Sequence, residues 1–136
     1  MIVDFRPGLR HHILSDTAVT ALISRRFFPI VIPPGTTLPA AVYSQVSGLG
    51  DHTMSGPSGL TQSRLQIDVY DKNTAPQRAM NIANAIKNRI DGMRGWVGIG
   101  AERIKIQGVF YINQFETSED GIFRIMREYM VHYSER

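Results

Sequence analysis

Cysteine is absent from the chain, which excludes a disulfide scaffold, a thiol nucleophile and a thiolate zinc site. No apolar run approaches the ~18 residues that a membrane-spanning helix needs. The opening Met1-Ile2-Val3-Asp4-Phe5 lacks the basic start and long apolar stretch of a secretory signal. A soluble protein made and kept in the cytoplasm is the expectation, with no membrane partner. Charge blocks are missing too. The 15 lysines and arginines are scattered, and the tightest pair, Arg25-Arg26, has no basic neighbours. A net charge of +3 spread in this way reads as a solvated surface, since a nucleic-acid binder concentrates its charge on one face or helix.

What remains suffices for a core. With 136 residues, 43% of them hydrophobic and 20% charged, the chain is expected to form a single domain over 1–136 without metal or disulfide. Residues 7–23 read as an interrupted helix. Pro7 suits a first turn, Leu9, Ile13 and Leu14 make one stripe, and Ser15-Asp16 can cap a restart that buries Val19, Leu22 and Ile23. Residues 26–32 are aromatic and β-branched, hence extended, with Pro29 marking an edge or irregular ribbon. Pro33-Pro34-Gly35 makes a loop, and a strand follows over 40–47.

Residues 51–63 contain Gly56-Pro57-Ser58-Gly59 and read as a mobile connection, unusually long for the inside of a domain and of the kind that often carries function. Residues 64–71 alternate, with Leu65, Ile67 and Val69 on one face, so a half-buried strand is expected. The two strands form an antiparallel hairpin with an extended tip, an arm over about 49–63. Thr74-Ala75-Pro76-Gln77 resembles a capping box. Ala79, Ile82, Ala83, Ile86, Ile90 and Met93 then recur at helical spacing, and Gly92 is the terminator. Residues 92–100, around Trp96, read as a loop or poor edge; 103–112 as a strand with a bulge at Gly108; 113–121 as a polar turn. A last strand over 123–133 places Phe123, Ile125, Tyr129, Val131 and Tyr133 on one face. Arg127 interrupts that face, which points to an edge, a bulge or a subunit boundary. The fold class is α+β: a single, mostly antiparallel sheet with a long-armed hairpin, packed by an N-terminal helix and one longer central helix.

Catalytic chemistry finds no foothold. His11 and His12 are adjacent on a helix and point apart. His52 and His132 stand alone, without metal-ligand spacing. Asp68 and Asp71 lie on opposite strand faces, and Glu116, Glu119 and Asp120 fall in a predicted turn. Ser55 and Ser58 lack the strand-to-helix setting of a nucleophile elbow, and the glycines of 92–100 lack a phosphate-loop Gly-Lys-Ser/Thr. No catalytic residue, cofactor site or metal site is assigned. The alternative function is a small nucleic-acid-binding α+β module, in which Tyr43, Tyr70, Tyr129 and Tyr133 would offer stacking surfaces. Their strand positions read more simply as core and interface aromatics, because no basic residues interleave them.

Arg26-Phe27-Phe28-Pro29, Leu38-Pro39-Ala40-Ala41-Val42-Tyr43, Val46-Ser47-Gly48, 64–70, the helix of 79–90, Glu116-Thr117, Phe123-Arg124-Ile125 and Val131-His132-Tyr133 carry a resemblance through their order and spacing. Over nearly the whole chain they resemble the tail-completion proteins of long-tailed bacteriophages, also described as tail terminators or head–tail joining proteins and found in prophages and gene transfer agents. Family members often end the last strand with an aromatic before histidine; Val131 stands there instead. The resemblance implies a non-enzymatic subunit of a hexameric ring. That ring would cap the tail tube, end tail polymerisation and dock to head–tail connector proteins, with DNA passing through it but no specific nucleic acid bound. Its partners would be its own copies, the tube protein and the connector. It would sit in the host cytoplasm during assembly and then in the virion tail or neck. On this reading Asp51, His52, Thr53, Met54, Ser55, Gly56, Pro57, Ser58, Gly59 and Leu60 form the arm that contacts tube or neighbour. Arg64, Arg78 and Arg127 are candidate intersubunit charges.

Overall fold

The computed structural model describes residues 4–53, 56–74, 76–98 and 103–134, with 46–53 and 56–61 described by backbone alone. Helix α1 spans Arg6–Leu14, with proline in its first turn and Leu9, Ile13 and Leu14 buried. Asp16 restarts the chain as α2, Thr17–Ile23, by accepting from the Ala18 N–H at 2.9 Å. The interruption read from Ser15-Asp16 is therefore a real helix end and a capped beginning. Strand β1, Phe27–Pro29, follows. It is shorter than the expected 26–32 because Ile30 adopts φ 68°, which takes the chain out of extended geometry.

Strands β2, Ala40–Thr53, and β3, Gly56–Lys72, form an antiparallel hairpin. Pairing continues through His52↔Pro57 and Thr53↔Gly56, so the described residues of 51–63, expected as a mobile connection, are instead paired strand, joined by β6 from Leu60 onward. Backbone hydrogen bonding, blind to the apolar content on which the loop reading relied, holds it. Met54 and Ser55 lie outside the described residues. Helix α3, Pro76–Ile90, comes next. Gln77 donates forward to Asn81 at 2.9 Å, the i,i+4 alternative to the capping-box return toward Thr74. Gly92, at φ 78°, lies just past the helix end, as a terminator requires.

A three-residue strand β4, Gly95–Val97, precedes β5, Ile104–Glu119, and β6, Ile122–Ser134. The polar stretch 113–119, expected to turn, belongs to β5 and pairs with β6 as far as Glu119↔Ile122. The actual turn is Asp120-Gly121, both at positive φ, 54° and 77°, the pair of conformations a tight hairpin turn demands. Register shifts fall between Ile106 and Gly108 and between Tyr111 and Asn113. The first puts the extra residue beside Gly108, and the second bulge was not anticipated.

The six strands form one sheet in the order β1-β2-β3-β6-β5-β4, antiparallel except for β1 with β2. Helix α3 packs on β3 and β6. Its buried Ala79, Ile82, Ala83, Ile86 and Ile90 join Leu65, Ile67, Val69, Ile125, Tyr129 and Val131 in one core. Each fully buried aliphatic side chain there contributes roughly 1.5–3 kcal/mol. Arg89 donates to the His12 carbonyl at 3.1 Å and the Ser15 hydroxyl at 2.8 Å, tying α3 to the carbonyl end of α1. This is the expected α+β class, with the described helices on one face. No described helix is long and apolar enough to cross a membrane.

Candidate assembly surface

Two parts of the sheet are not covered by helices: its second face and its borders. Alternation places Val42, Asp68, Met126 and Phe115 in one row on the uncovered face, and Ser44, Gln66, Glu128 and Asn113 in another. Charged residues close this face instead of a second layer. Asp68, only 4% exposed, accepts from Arg124 at 3.1 Å and from Gln66 at 2.9 Å. Glu128 accepts from Asn113 at 3.1 Å and lies 3.6 Å from Arg64. These acids are therefore paired, as buried charges must be. Alongside them an apolar groove of about 430 Å³ opens between the chain at Ile30–Leu38 and Val42, Tyr70 and Ile122.

The borders differ in how their backbone is used. On β1 the outward groups are all engaged. The Phe27 N–H donates to the Arg25 carbonyl at 2.8 Å, and the Phe27 carbonyl accepts from Arg10 Nε at 2.7 Å. Pro29 has no N–H, and its carbonyl accepts from the Val31 N–H at 2.7 Å. Such an edge cannot template a further strand. Beyond Tyr43, the outer side of β2 pairs with no strand among the described residues.

At the opposite border β4 covers β5 only from Ile104 to Ile106. Gly92 N–H then donates to the Val109 carbonyl at 2.7 Å, and the Tyr111 N–H donates to Asp91 Oδ1 at 3.1 Å. From Ile112 to the Asp120 turn no described strand lines the outer side of β5, the side away from β6. The exposed large apolar groups crowd here, with Phe110 51%, Ile112 43% and Phe115 53% accessible. Exposed aromatics on a strand open along one side mark an interaction surface more than a solvated one.

The hairpin arm is the third feature. β6 accompanies β3 only as far as Leu60↔Ser134, so among the described residues the last pairs of β2 and β3 project as two strands alone. A two-stranded ribbon is marginal by itself in water.

The three arginines singled out from sequence lie apart. Arg64 is on the uncovered face with its side chain 44% exposed. Arg78 grips Asp71 with two 2.6 Å bonds. Asp71 itself is wholly buried. Burial alone would raise its carboxyl, but the Arg78 and Lys72 N–H bonds outweigh it and hold the group below the ordinary carboxylate value. Arg127 faces the helices, 7% exposed, donating to Gln114 at 2.8 Å and to Met80 Sδ at 3.3 Å. Its strand is interior to the sheet, opposite the second β5 bulge, and not at an edge. Beneath it, burial pushes the Tyr129 hydroxyl far above its ordinary value, the Arg127 charge only partly offsetting this.

Sequence reasoning missed the β5 border because 113–121 read as a turn. The signal was the Asp120-Gly121 dipeptide, a tight-turn pair that shortens the turn and frees the rest for a strand.

Known proteins fit this geometry. A chain of a structure described as "Virion of native gene transfer agent (GTA) particle" shares the fold with a TM-score of 0.73 at 13% identity, covering 95% of this chain and 93% of that one. No curated protein sequence matches. The family model for "Tail completion protein gp17" matches residues 7–133, which takes in every described helix and strand but for Arg6 and Ser134 at the two ends. The chain therefore belongs to the tail-completion family, structural proteins of bacteriophage tails.

Proposed function

We propose that this protein closes a finished phage-type tail as a ring, the simplest closed use of one repeated border-to-border contact, and that six copies form it, as the resemblance to tail terminators implies. One face of the ring seats on the tail tube protein and the other meets the head–tail connector. Tube growth ends because the outer face offers the next tube subunit nothing to match. The ring forms in the host cytoplasm and stays in the neck of the particle, with DNA passing through it and no cofactor required.

The observation that carries this reading is the arm. Among the described residues the paired strands beyond Leu60 and Gly50 leave the sheet without a third strand, and so isolated a ribbon gains its order from a partner. Residues 51–60 would therefore contact tube or neighbour, and Arg64, at the foot of the arm on the uncovered face, suits that contact. Arg78 and Arg127 would act by fixing α3 and β5 beneath it. The test is deletion of residues 51–59 in the particle-producing strain. The domain should stay folded by circular dichroism while electron micrographs show tails of uncontrolled length without heads. Tails of normal length and full infectivity would refute the role.

A further inference from the structure

The two borders of the sheet match each other. Following the pairings across, Phe28, Val42, Asp68, Met126 and Phe115 form one row, and Phe27, Ala41, Val69, Ile125 and Glu116 the next. One border thus carries Ile30 and Val31, 73% and 67% exposed, just above the level at which Arg25 and Arg26 begin. On these rows Phe28 stands level with Phe115 and Phe27 with Glu116; on the other border Ile112 lies on the Ile30 side of Phe115, and Glu119 and Asp120 on the Arg25 side of Glu116. Along both borders the apolar groups thus lie toward one end and the charges toward the other, cations on one border and anions on the other. Arg25, Glu116, Glu119 and Asp120 make no ion pair among the described residues, so their charges are free for a partner.

We infer that the β5 border of one copy packs against the β1 border of the next, with Glu119 and Asp120 facing Arg25 and Phe115 facing Ile30 and Val31. The proposal rests on the ring reading and names its contact. The occupant is a second copy, because a single chain carries both halves of a complementary pair on opposite sides. Such a contact is heterologous, and level borders let it close.

The competing geometry joins open backbone to open backbone, β5 beyond Ile112 with β2 beyond Tyr43. Its strand directions are suitable, but the open part of β2 begins where the open part of β5 ends in height. Pairing them would shift each copy along the strand axis by about six residues, roughly 20 Å at ~3.3 Å per residue. Repeated, that offset winds an open helix and not a ring. The engaged backbone of β1 fits the level contact as well, since side chains and not ladder bonds make the join.

The lack of cysteine makes the test clean. Arg25→Cys and Glu119→Cys are introduced together, and the protein is oxidised alone and with tube protein. Because the two positions lie on opposite borders, a disulfide between them joins different copies. Covalent multimers that stop at the ring size are expected, with neither single variant linking. In parallel, Glu119→Arg should weaken association roughly tenfold or more through like-charge contact, and Arg25→Glu added to it should restore assembly. Wild-type rings with no cross-link and no charge-swap rescue would overturn this contact and leave the ring reading standing. Wild-type protein that forms no oligomer with or without tube protein would overturn the ring reading and this contact together.

Discussion

Replacing Gly8 with alanine sets two known effects against each other, and the structure decides the sign. Alanine in an exposed helix interior stabilises by up to about 1 kcal/mol over glycine. At Gly8, however, a Cβ would lie 2.7 Å from the backbone nitrogen of Gly98, 3.1 Å from the carbonyl carbon of Val97 and 3.2 Å from the Gly98 Cα. All three are main-chain atoms at the end of β4 and the residue after it, so no side chain can swing aside. Either α1 lifts or the β4 border moves. Lifting α1 loosens Phe5, Leu9 and Ile13, each 2% exposed or less. Overpacking of this kind costs about 1–3 kcal/mol. Less the helix gain, Gly8→Ala should lose about 1–2 kcal/mol and lower the thermal midpoint by roughly 3–8 °C for a chain of this size. Urea and thermal unfolding followed by circular dichroism measure it. An unchanged or raised midpoint would show that β4 yields freely and that close backbone approach does not fix α1 on the sheet.

Other outcomes follow from particular groups. Ile86, 1% exposed in the centre of α3, should lose about 2–5 kcal/mol on truncation to alanine, read as a lower urea midpoint with the slope unchanged. Asp71 has a folded-state pKa below its ordinary 3.8, so its ion pair with Arg78 contributes above that value and is lost as pH falls through the lowered one. Asp71→Asn should therefore be less stable near neutrality and show a shallower loss of stability below about pH 4; a parallel pH profile would contradict the pairing. Gly121→Ala forces a left-handed residue into the β5–β6 turn at φ 77°, at about 1–2 kcal/mol. Amide exchange should report it first in 116–126, and uniform protection there would count against the tight turn.

Period-two alternation in 64–70 and period-three-and-four spacing in 79–90 made β3 and α3 legible because each buries one face against a core. Asp16 was legible for a local reason, a side chain reaching its own helix start. The arm and the far half of β5 were not. Their side chains say loop, being polar or glycine-rich, whereas their backbones are held by partners distant in sequence or across a turn. Arg127 shows the same divide, since a charge on an apolar face suggested an edge, a bulge or a subunit boundary, and its place beneath α3, next to the second β5 bulge, came only from strand order.

Sequence alone determined that the chain folds as α+β around one amphipathic helix and an alternating strand, since burial periodicity is written residue by residue. Which borders stay open, and at what height their charges stand, only the tertiary structure decided. Those depend on β3 pairing with β6 across an intervening helix, and on register, which no local pattern encodes.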